Sequence, residues 1–188
     1  MKEFKIDKTY CMGAWFMPEK ICDDLIKFFH LNNENIHEGE TLLGIRKDIK
    51  DSRDLQIKPL YQHDLIIPYR IKLQKCLEKY VKKYPVVGSL DKFDIIEDYR
   101  IQHYKKNGGY KDWHCERTGN RTGSRTLVFM TYLNTVKDGG TIFKYQNMTI
   151  PCIKGLTLIW PTDFTHLHKG QISKLQEKYI ITGWYNFV

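Results

Sequence analysis

Residues 125–134, Arg-Thr-Leu-Val-Phe-Met-Thr-Tyr-Leu-Asn, and residues 177–187, Glu-Lys-Tyr-Ile-Ile-Thr-Gly-Trp-Tyr-Asn-Phe, set the reading of this chain. Both are dense in β-branched and aromatic side chains, which fit a pleated, half-buried surface. Similar runs lie near Asp94–Tyr104, Tyr110–Cys115, Thr141–Tyr145, Thr157–Trp160 and Thr165–His168. Gly108-Gly109, Asp138-Gly139-Gly140 and Lys154-Gly155 supply turns between them. Many short strands at regular spacing indicate a sandwich or barrel.

Upstream of Pro85 the texture differs. Ile21, Leu25, Phe28 and Phe29 recur at helical spacing after Pro18, a residue suited to a first helical turn, and Asn32-Asn33 is a plausible stop. A second helix is expected from about Pro59 to Lys83, with Tyr69, Leu73, Cys76, Leu77, Tyr80 and Tyr84 on one face and Pro68 kinking or splitting it. Residues 32–58 between the helices are polar, with Leu42, Leu43 and Ile45 as sparse apolar positions, and read as a short strand with loops. Helices first and strands after argue for helices packed on one face of an antiparallel double sheet, not for an alternating βαβ fold. The fold class is mainly β with flanking helices. The expected organisation is one domain over 1–188, with a helical scaffold in 1–92 and the chemistry in 93–188.

The bulk properties narrow the function classes. The apolar share of 41% is that of a globular chain. No apolar run has the length of a membrane span, and Met1–Tyr10 lacks the apolar stretch of a secretory signal, so a soluble, cytoplasmic protein is the expectation. The five cysteines are widely spaced, with no C-x-x-C, which argues against a disulfide framework or a cysteine-built zinc site. The net charge of +8 is spread along the chain, and its densest clusters, Lys72–Lys83 and Lys105–Lys111, follow no nucleic-acid motif. Asn120 and Asn147 begin glycosylation-type triplets, discounted without a secretory signal.

Two constellations carry chemistry. In Trp113-His114-Cys115-Glu116, residues two apart on a strand share a face, so His114 and Glu116 project together with Cys115 directed away. A distant histidine would complete a two-histidine, one-carboxylate face, whose open positions suit non-haem iron(II). The second is His166-Leu167-His168-Lys169-Gly170, followed by Lys178 ten residues after His168 and Trp184 sixteen after it. His166 and His168 would share a face if extended, and either could reach a metal; the interval to Lys178 and the adjacent Gly170 favour His168. A buried Lys178 needs an anionic partner.

From about Tyr99 to Val188 the chain resembles the prolyl 4-hydroxylase family of Fe(II)- and 2-oxoglutarate-dependent oxygenases, especially the short single-domain versions of bacteriophages and other viruses. Residues 10–60, including Lys50-Asp51-Ser52, are similar to the N-terminal part of those proteins, less specifically. The resemblance implies a double-stranded β-helix, or jelly-roll. It implies His114, Glu116 and His168 as iron ligands and Lys178 as the clamp on the 2-oxoglutarate carboxylate. It also implies Tyr104, Thr141 and Tyr132 as co-substrate contacts, and Arg125 and Trp184 on the substrate side. The cofactor set is Fe(II), with 2-oxoglutarate and O2 as co-substrates and ascorbate as reductant. The expected reaction is hydroxylation of a peptidyl proline at C4. Two departures stand out: the acidic ligand is Glu116 where the family has aspartate, and Gly-Gly-Thr at 139–141 is one residue shorter than the usual Gly-Gly-Glu-Thr. The same chemistry on another side chain, a free amino acid or a nucleobase, a non-catalytic binding module on this fold, and a basic nucleic-acid binder are the alternatives. The polar loop 117–124 reads equally as a lid or as a solvated connection.

Overall fold

A computed structural model describes residues 1–41 and 43–188. In chain order the elements are β1 (Gly13–Phe16), α1 (Glu19–Leu31), β2 (Ile36–Glu38), β3 (Glu40–Thr41), β4 (Gly44–Ile45), β5 (Lys50–Asp51), β6 (Arg53–Ile57) and α2 (Ile67–Lys83). There follow β7 (Phe93–Asp94), β8 (Tyr99–Tyr104), β9 (Gly109–Tyr110), β10 (Arg125–Tyr132), β11 (Val136–Phe143), β12 (Met148–Cys152), β13 (Leu156–Pro161), β14 (His168–Gly170) and β15 (Lys178–Phe187). The large sheet runs β1-β13-β10-β15-β8-β6-β2, with β7 also on β15; the small sheet is β12-β11-β14. Two short pairs, β3 with β4 and β5 with β9, complete the strands, and every pairing is antiparallel.

The large sheet is buried on both faces, and the alternation along β10 shows how. Leu127 and Phe129 pack toward the helices with Leu25, Phe29, Tyr69, Leu73 and Tyr80. Val128, Met130 and Tyr132 face the small sheet with Phe143, Ile150 and Trp160. This is the two-residue side-chain period of a strand serving two cores at once. It is also why residues 127–133 read as a near-continuous apolar run. Each helix contributes one stripe: Ile21, Cys22, Leu25, Phe28 and Phe29 from α1, and Tyr69, Leu73, Cys76, Leu77 and Tyr80 from α2. Two facing antiparallel sheets with helices on one outer face are the mainly β, jelly-roll arrangement expected.

Several boundaries differ from the sequence reading. The second helix begins at Ile67, so Pro68 occupies its first turn and kinks nothing; there its missing N–H has no carbonyl to lose. Residues 138–140 form no hairpin turn. They lie inside β11, where the four residues between Val136 and Thr141 stand opposite the single Pro151 between Cys152 and Ile150, a bulge that Asp138 permits by adopting φ 55°. Strand Tyr110–Cys115 shrinks to Gly109–Tyr110, and Phe164–His166 is a turn of 3-10 helix with the strand starting only at His168. Tyr145 falls in the turn after β11. Strands β1 and β12 were not anticipated, and residues 36–57 hold five short strands, β2 to β6, where one short strand with loops was expected. The expectation for Leu42 lies outside the described residues. All five cysteines are unpaired, and among the described residues no helix is long and apolar enough to cross a membrane.

Candidate metal and co-substrate site

The space between the sheets opens into a cavity of about 310 Å³. Strand register decides what lines it. On β8 the residues two apart, Arg100, Gln102 and Tyr104, face it; on β15, Lys178, Ile180, Thr182 and Trp184 do; β10 adds Met130 and Tyr132. Lys178 sits opposite Tyr104, Ile180 opposite Gln102 and Thr182 opposite Arg100, so depth in the cavity follows position along the strands.

His114 and His168 form an isolated antiparallel bridge in which each backbone N–H donates to the other's carbonyl over 2.9 Å. That bridge, not a continuous strand through 110–116, brings the first constellation to the second. The Glu116 N–H is tied to the Thr162 carbonyl at 3.0 Å. Among the described residues these three are the group whose ligand atoms converge, all within 4.8 Å of one another. Nε2 of each histidine stands 3.6 Å from Oε1 of Glu116.

The imidazoles are pre-set as ligands. Nδ1 of His114 donates to the Asp112 carbonyl at 3.1 Å, and Nδ1 of His168 donates to the His166 carbonyl at 2.8 Å. With the proton on Nδ1, the lone pair of Nε2 points into the centre, the usual way a neighbouring acceptor fixes a ligand histidine. Burial, with His168 alongside, pushes His114 down to about 4, so it is neutral at physiological pH. Burial alone would raise Glu116, but the neighbouring histidines and Arg125 outweigh it and bring the carboxyl to about 2. Two imidazoles presenting Nε2 and one carboxylate on one side of an open cavity are the donor set of a facial iron(II) site; the residues present fit that metal.

His166 is not one of them. The 3-10 turn at 164–166 directs its ring away, where Nε2 donates to the Tyr10 carbonyl at 2.8 Å and Nδ1 accepts from the Thr165 hydroxyl at 3.0 Å. It supports the site through its carbonyl, which holds His168.

Lys178 lies at the deep end of the cavity, 5% exposed. Its Nζ donates to the Gly139 carbonyl at 3.0 Å and reaches the Gln171 carbonyl at 3.4 Å. No carboxylate pairs with it among the described residues, and burial pushes it down to about 8. The bulge in β11 is what aims the Gly139 carbonyl at this ammonium. A small dianion with one end on the metal and the other on Lys178 would supply the missing charge, so 2-oxoglutarate fits as well. Tyr132 and Thr141 meet hydroxyl to hydroxyl at 2.7 Å on the same wall. Tyr104 also lines the cavity, but its hydroxyl donates to Oε1 of Gln102 at 2.8 Å.

On the cavity wall beside Glu116, Trp184 donates from Nε1 to Oε2 of that carboxylate at 2.8 Å. The Arg125 guanidinium stacks on that indole, 3.5 Å from the ring centroid. It is not free: Glu97 holds it by two hydrogen bonds of 2.8 and 2.5 Å, and it donates to the Glu116 carbonyl at 3.2 Å. In the loop 117–124, Arg117 is paired in the same two-point fashion with Asp163, at 2.8 and 2.7 Å.

Four site features were absent from the sequence reading. Tyr110 stacks on His114 with ring centroids 3.6 Å apart. Glu97 anchors Arg125. Lys50 and Asp54, 3% and 5% exposed, form an ion pair of 2.5 Å. Asp54 also accepts from Ser52 at 2.7 Å and from Gln102 at 3.2 Å, which ties the N-terminal strands to the cavity wall through Gln102 and Tyr104. The available signal was the run Lys50-Asp51-Ser52-Arg53-Asp54, where charged residues flank a short alternating strand.

Comparison with known proteins places this geometry. Residues 99–186 match the 2OG-Fe(II) oxygenase superfamily, and that stretch contains His114, Glu116, His168 and Lys178. Human prolyl 4-hydroxylase subunit alpha-3 is 31% identical over 72 residues, covering 34% of this chain and 13% of that one. The chain spans only a small part of the curated relatives it matches, down to 2% of a Paramecium tetraurelia dynein heavy chain that is 29% identical over 106 residues. Three solved structures share the fold. A Pseudomonas putida prolyl-4-hydroxylase has TM-score 0.73 at 16% identity, covering 96% of this chain and 94% of that one. The viral collagen prolyl hydroxylase of Paramecium bursaria Chlorella virus-1, in complex with 2OG, has TM-score 0.71 at 19% identity, covering 98% and 100%. A Trichoplax adhaerens prolyl hydroxylase holding a hypoxia inducible factor peptide fragment has TM-score 0.71 at 16% identity, covering 95% and 84%.

Proposed function

We propose that the chain, whose residues 99–186 match the 2OG-Fe(II) oxygenase superfamily, is an Fe(II)- and 2-oxoglutarate-dependent dioxygenase that hydroxylates a peptidyl proline at C4. The observation that carries this reading is the pairing of two incomplete charges in one cavity. A face of two imidazoles and one carboxylate is open on one side, and a buried ammonium without an anion lies beyond it.

In this reading His114 Nε2, Glu116 Oε1 and His168 Nε2 hold the iron, and Lys178 takes the far carboxylate of 2-oxoglutarate, with Thr141 and Tyr132 beside it. Tyr104 joins them once its hydroxyl turns from Gln102. Iron(II) with 2-oxoglutarate and dioxygen supplies the oxidation: the keto acid loses carbon dioxide and becomes succinate, one oxygen atom entering succinate and the other the substrate C–H bond. The chain's own part is orientation and exclusion of water. The two Nδ1 hydrogen bonds fix the imidazoles, Trp184 and Arg125 wall the side from which the substrate arrives, and Met130, Trp160 and Ile180 keep the inner cavity apolar. Ascorbate is the reductant that returns oxidised iron to the ferrous state, and the whole chain acts as one catalytic unit, in the cytoplasm, of a host cell if the protein is viral. A peptide substrate is supported by the prolyl hydroxylase names of the relatives and by the peptide held in the Trichoplax structure.

The test is succinate formation with and without proline-containing peptides, with mass spectrometry of the peptide. The reading requires iron-dependent succinate release and a gain of one oxygen atom on proline. Iron-dependent turnover that never oxidises proline while oxidising another side chain would overturn the substrate; no turnover under any condition would overturn the enzyme.

A further inference from the structure

Resting on that reading of the cavity, we propose that Arg100 is a binding subsite for an acidic side chain of the peptide substrate, next to the residue to be hydroxylated. Arg100 projects from β8 into the mouth of the cavity, in a cross-strand row with Gln56 on β6 and Thr182 on β15. Its side chain is 20% exposed, and its guanidinium carbon lies 5.5 Å from the ring of Trp184.

The argument is one of unmatched charge. Arg46, Arg117 and Arg125 each use the Nε and Nη2 edge to grip a carboxylate at two points, on Asp48, Asp163 and Glu97. Arg100 has no such partner among the described residues. Its Nε is buried without a hydrogen bond, and its nearest carboxylate is Asp54, 3.8 Å from Nη1. Asp54 is already bound by Lys50 at 2.5 Å and accepts from Ser52 and Gln102. One carboxylate therefore serves two cations, and the wall they share keeps one positive charge. Across the cavity Arg125 is neutralised by Glu97, so the surplus is localised on Arg100. Glu40, also at the mouth, is exposed and gives it no ion pair among the described residues. A partly buried guanidinium without a carboxylate of its own, exposed at its tip beside an indole that can flank a ligand, is built for a carboxylate. Because Arg100 stands two strand steps out from Tyr104, the acid belongs on a residue flanking the one that reaches the metal.

The test uses three peptides of one length, with a central proline flanked by glutamate, glutamine or lysine. KM and kcat are taken from succinate release, and binding to the Mn(II)-loaded protein is followed by tryptophan fluorescence. For the wild type we expect KM about tenfold lower for the glutamate peptide than for the glutamine peptide, with the lysine peptide weakest and kcat values close together. Arg100→Gln should bring the glutamate-to-glutamine ratio to about one, and Arg100→Glu should reverse the order toward lysine. A wild type that binds the three peptides equally, or binds none of them, overturns the subsite whatever the variants do. So does a glutamate preference that survives in Arg100→Gln. A single-stranded oligonucleotide that displaces the glutamate peptide more effectively than an excess of that peptide itself would assign Arg100 to phosphate and also overturn it. Iron-dependent 2-oxoglutarate decarboxylation by the wild type, with or without peptide, reports separately on the enzyme reading, and its absence under every condition would sink that reading instead.

Discussion

Trp184 and Glu116 divide the work of one carboxylate: the indole Nε1 holds Oε2 at 2.8 Å, while Oε1 alone faces both histidine Nε2 atoms at 3.6 Å. Glutamate is one methylene longer and one torsion freer than aspartate, so an unheld side chain could turn both oxygens to the metal or neither. The hydrogen bond removes that freedom and keeps one oxygen for the metal. Trp184→Phe preserves the apolar wall and deletes only the donor. Its metal affinity should fall about 10- to 100-fold, the usual cost of losing a group that orients a ligand. Titration with Mn(II) followed by electron paramagnetic resonance measures this without turnover. Unchanged affinity would mean the indole is only a wall.

The two neighbouring histidines should separate cleanly. His168→Ala removes a ligand and should abolish both metal binding and succinate release. His166→Ala removes a ring that is bonded to Tyr10 and Thr165, while the carbonyl that orients His168 stays. Metal binding should be retained and thermal stability should drop, by about 1–3 kcal/mol for the Tyr10 carbonyl left unpaired. Calorimetry of metal binding and thermal unfolding read the two effects apart.

Much of this site was legible because its chemistry is carried by spacing. His114-x-Glu116 is a local pair, and His168 and Lys178 open two consecutive strands of the facing sheets, β14 and β15, ten residues apart, so short sequence intervals record them. The same intervals misplace backbone: Glu116 was read on a strand, yet the chain leaves the sheet after Tyr110 and rejoins only at the His114–His168 bridge. The extent of β6 stayed hidden because Arg53 and Asp54 look like solvated charges, although Asp54 is buried and paired with Lys50 of β5. Strand β12 stayed hidden because Pro151 interrupts it, and proline is tolerated there only because β12 is the edge of its sheet. Glu97 offered no local signal, since its partner Arg125 is 28 positions away.

The Lys50–Asp54 pair should be costly to break and cheap to replace. Asp54→Ala leaves a buried ammonium, frees Gln102 and should destabilise the fold by about 3–5 kcal/mol. The double variant Lys50→Met/Asp54→Leu removes both charges and should be less destabilised than that single variant. Urea denaturation of the wild type and these two variants decides it; a double variant as unstable as Asp54→Ala would show that the polar link to Tyr104, not the charge balance, holds this wall.

Lys178 gives the site a pH signature of known sign. Burial lowers its ammonium to about 8, so between pH 8 and the ordinary lysine value of about 10.4 the folded, ligand-free protein binds fewer protons than the unfolded chain. The stability of the ligand-free protein therefore gains a contribution that rises with pH through this window and is absent below it. Binding of 2-oxoglutarate runs the other way, because its carboxylate requires the charged form. Affinity should be flat below pH 8 and fall by up to about tenfold per unit above it, with one proton taken up per ligand. Lys178→Met should lower the affinity by at least about 30-fold at neutral pH and lose the decline above pH 8. Calorimetric titration of 2-oxoglutarate into the Mn(II)-loaded protein, in buffers of different ionisation enthalpy, measures affinity and proton uptake together. A wild type whose affinity does not weaken from pH 8 to 9.5 would place the ligand away from Lys178.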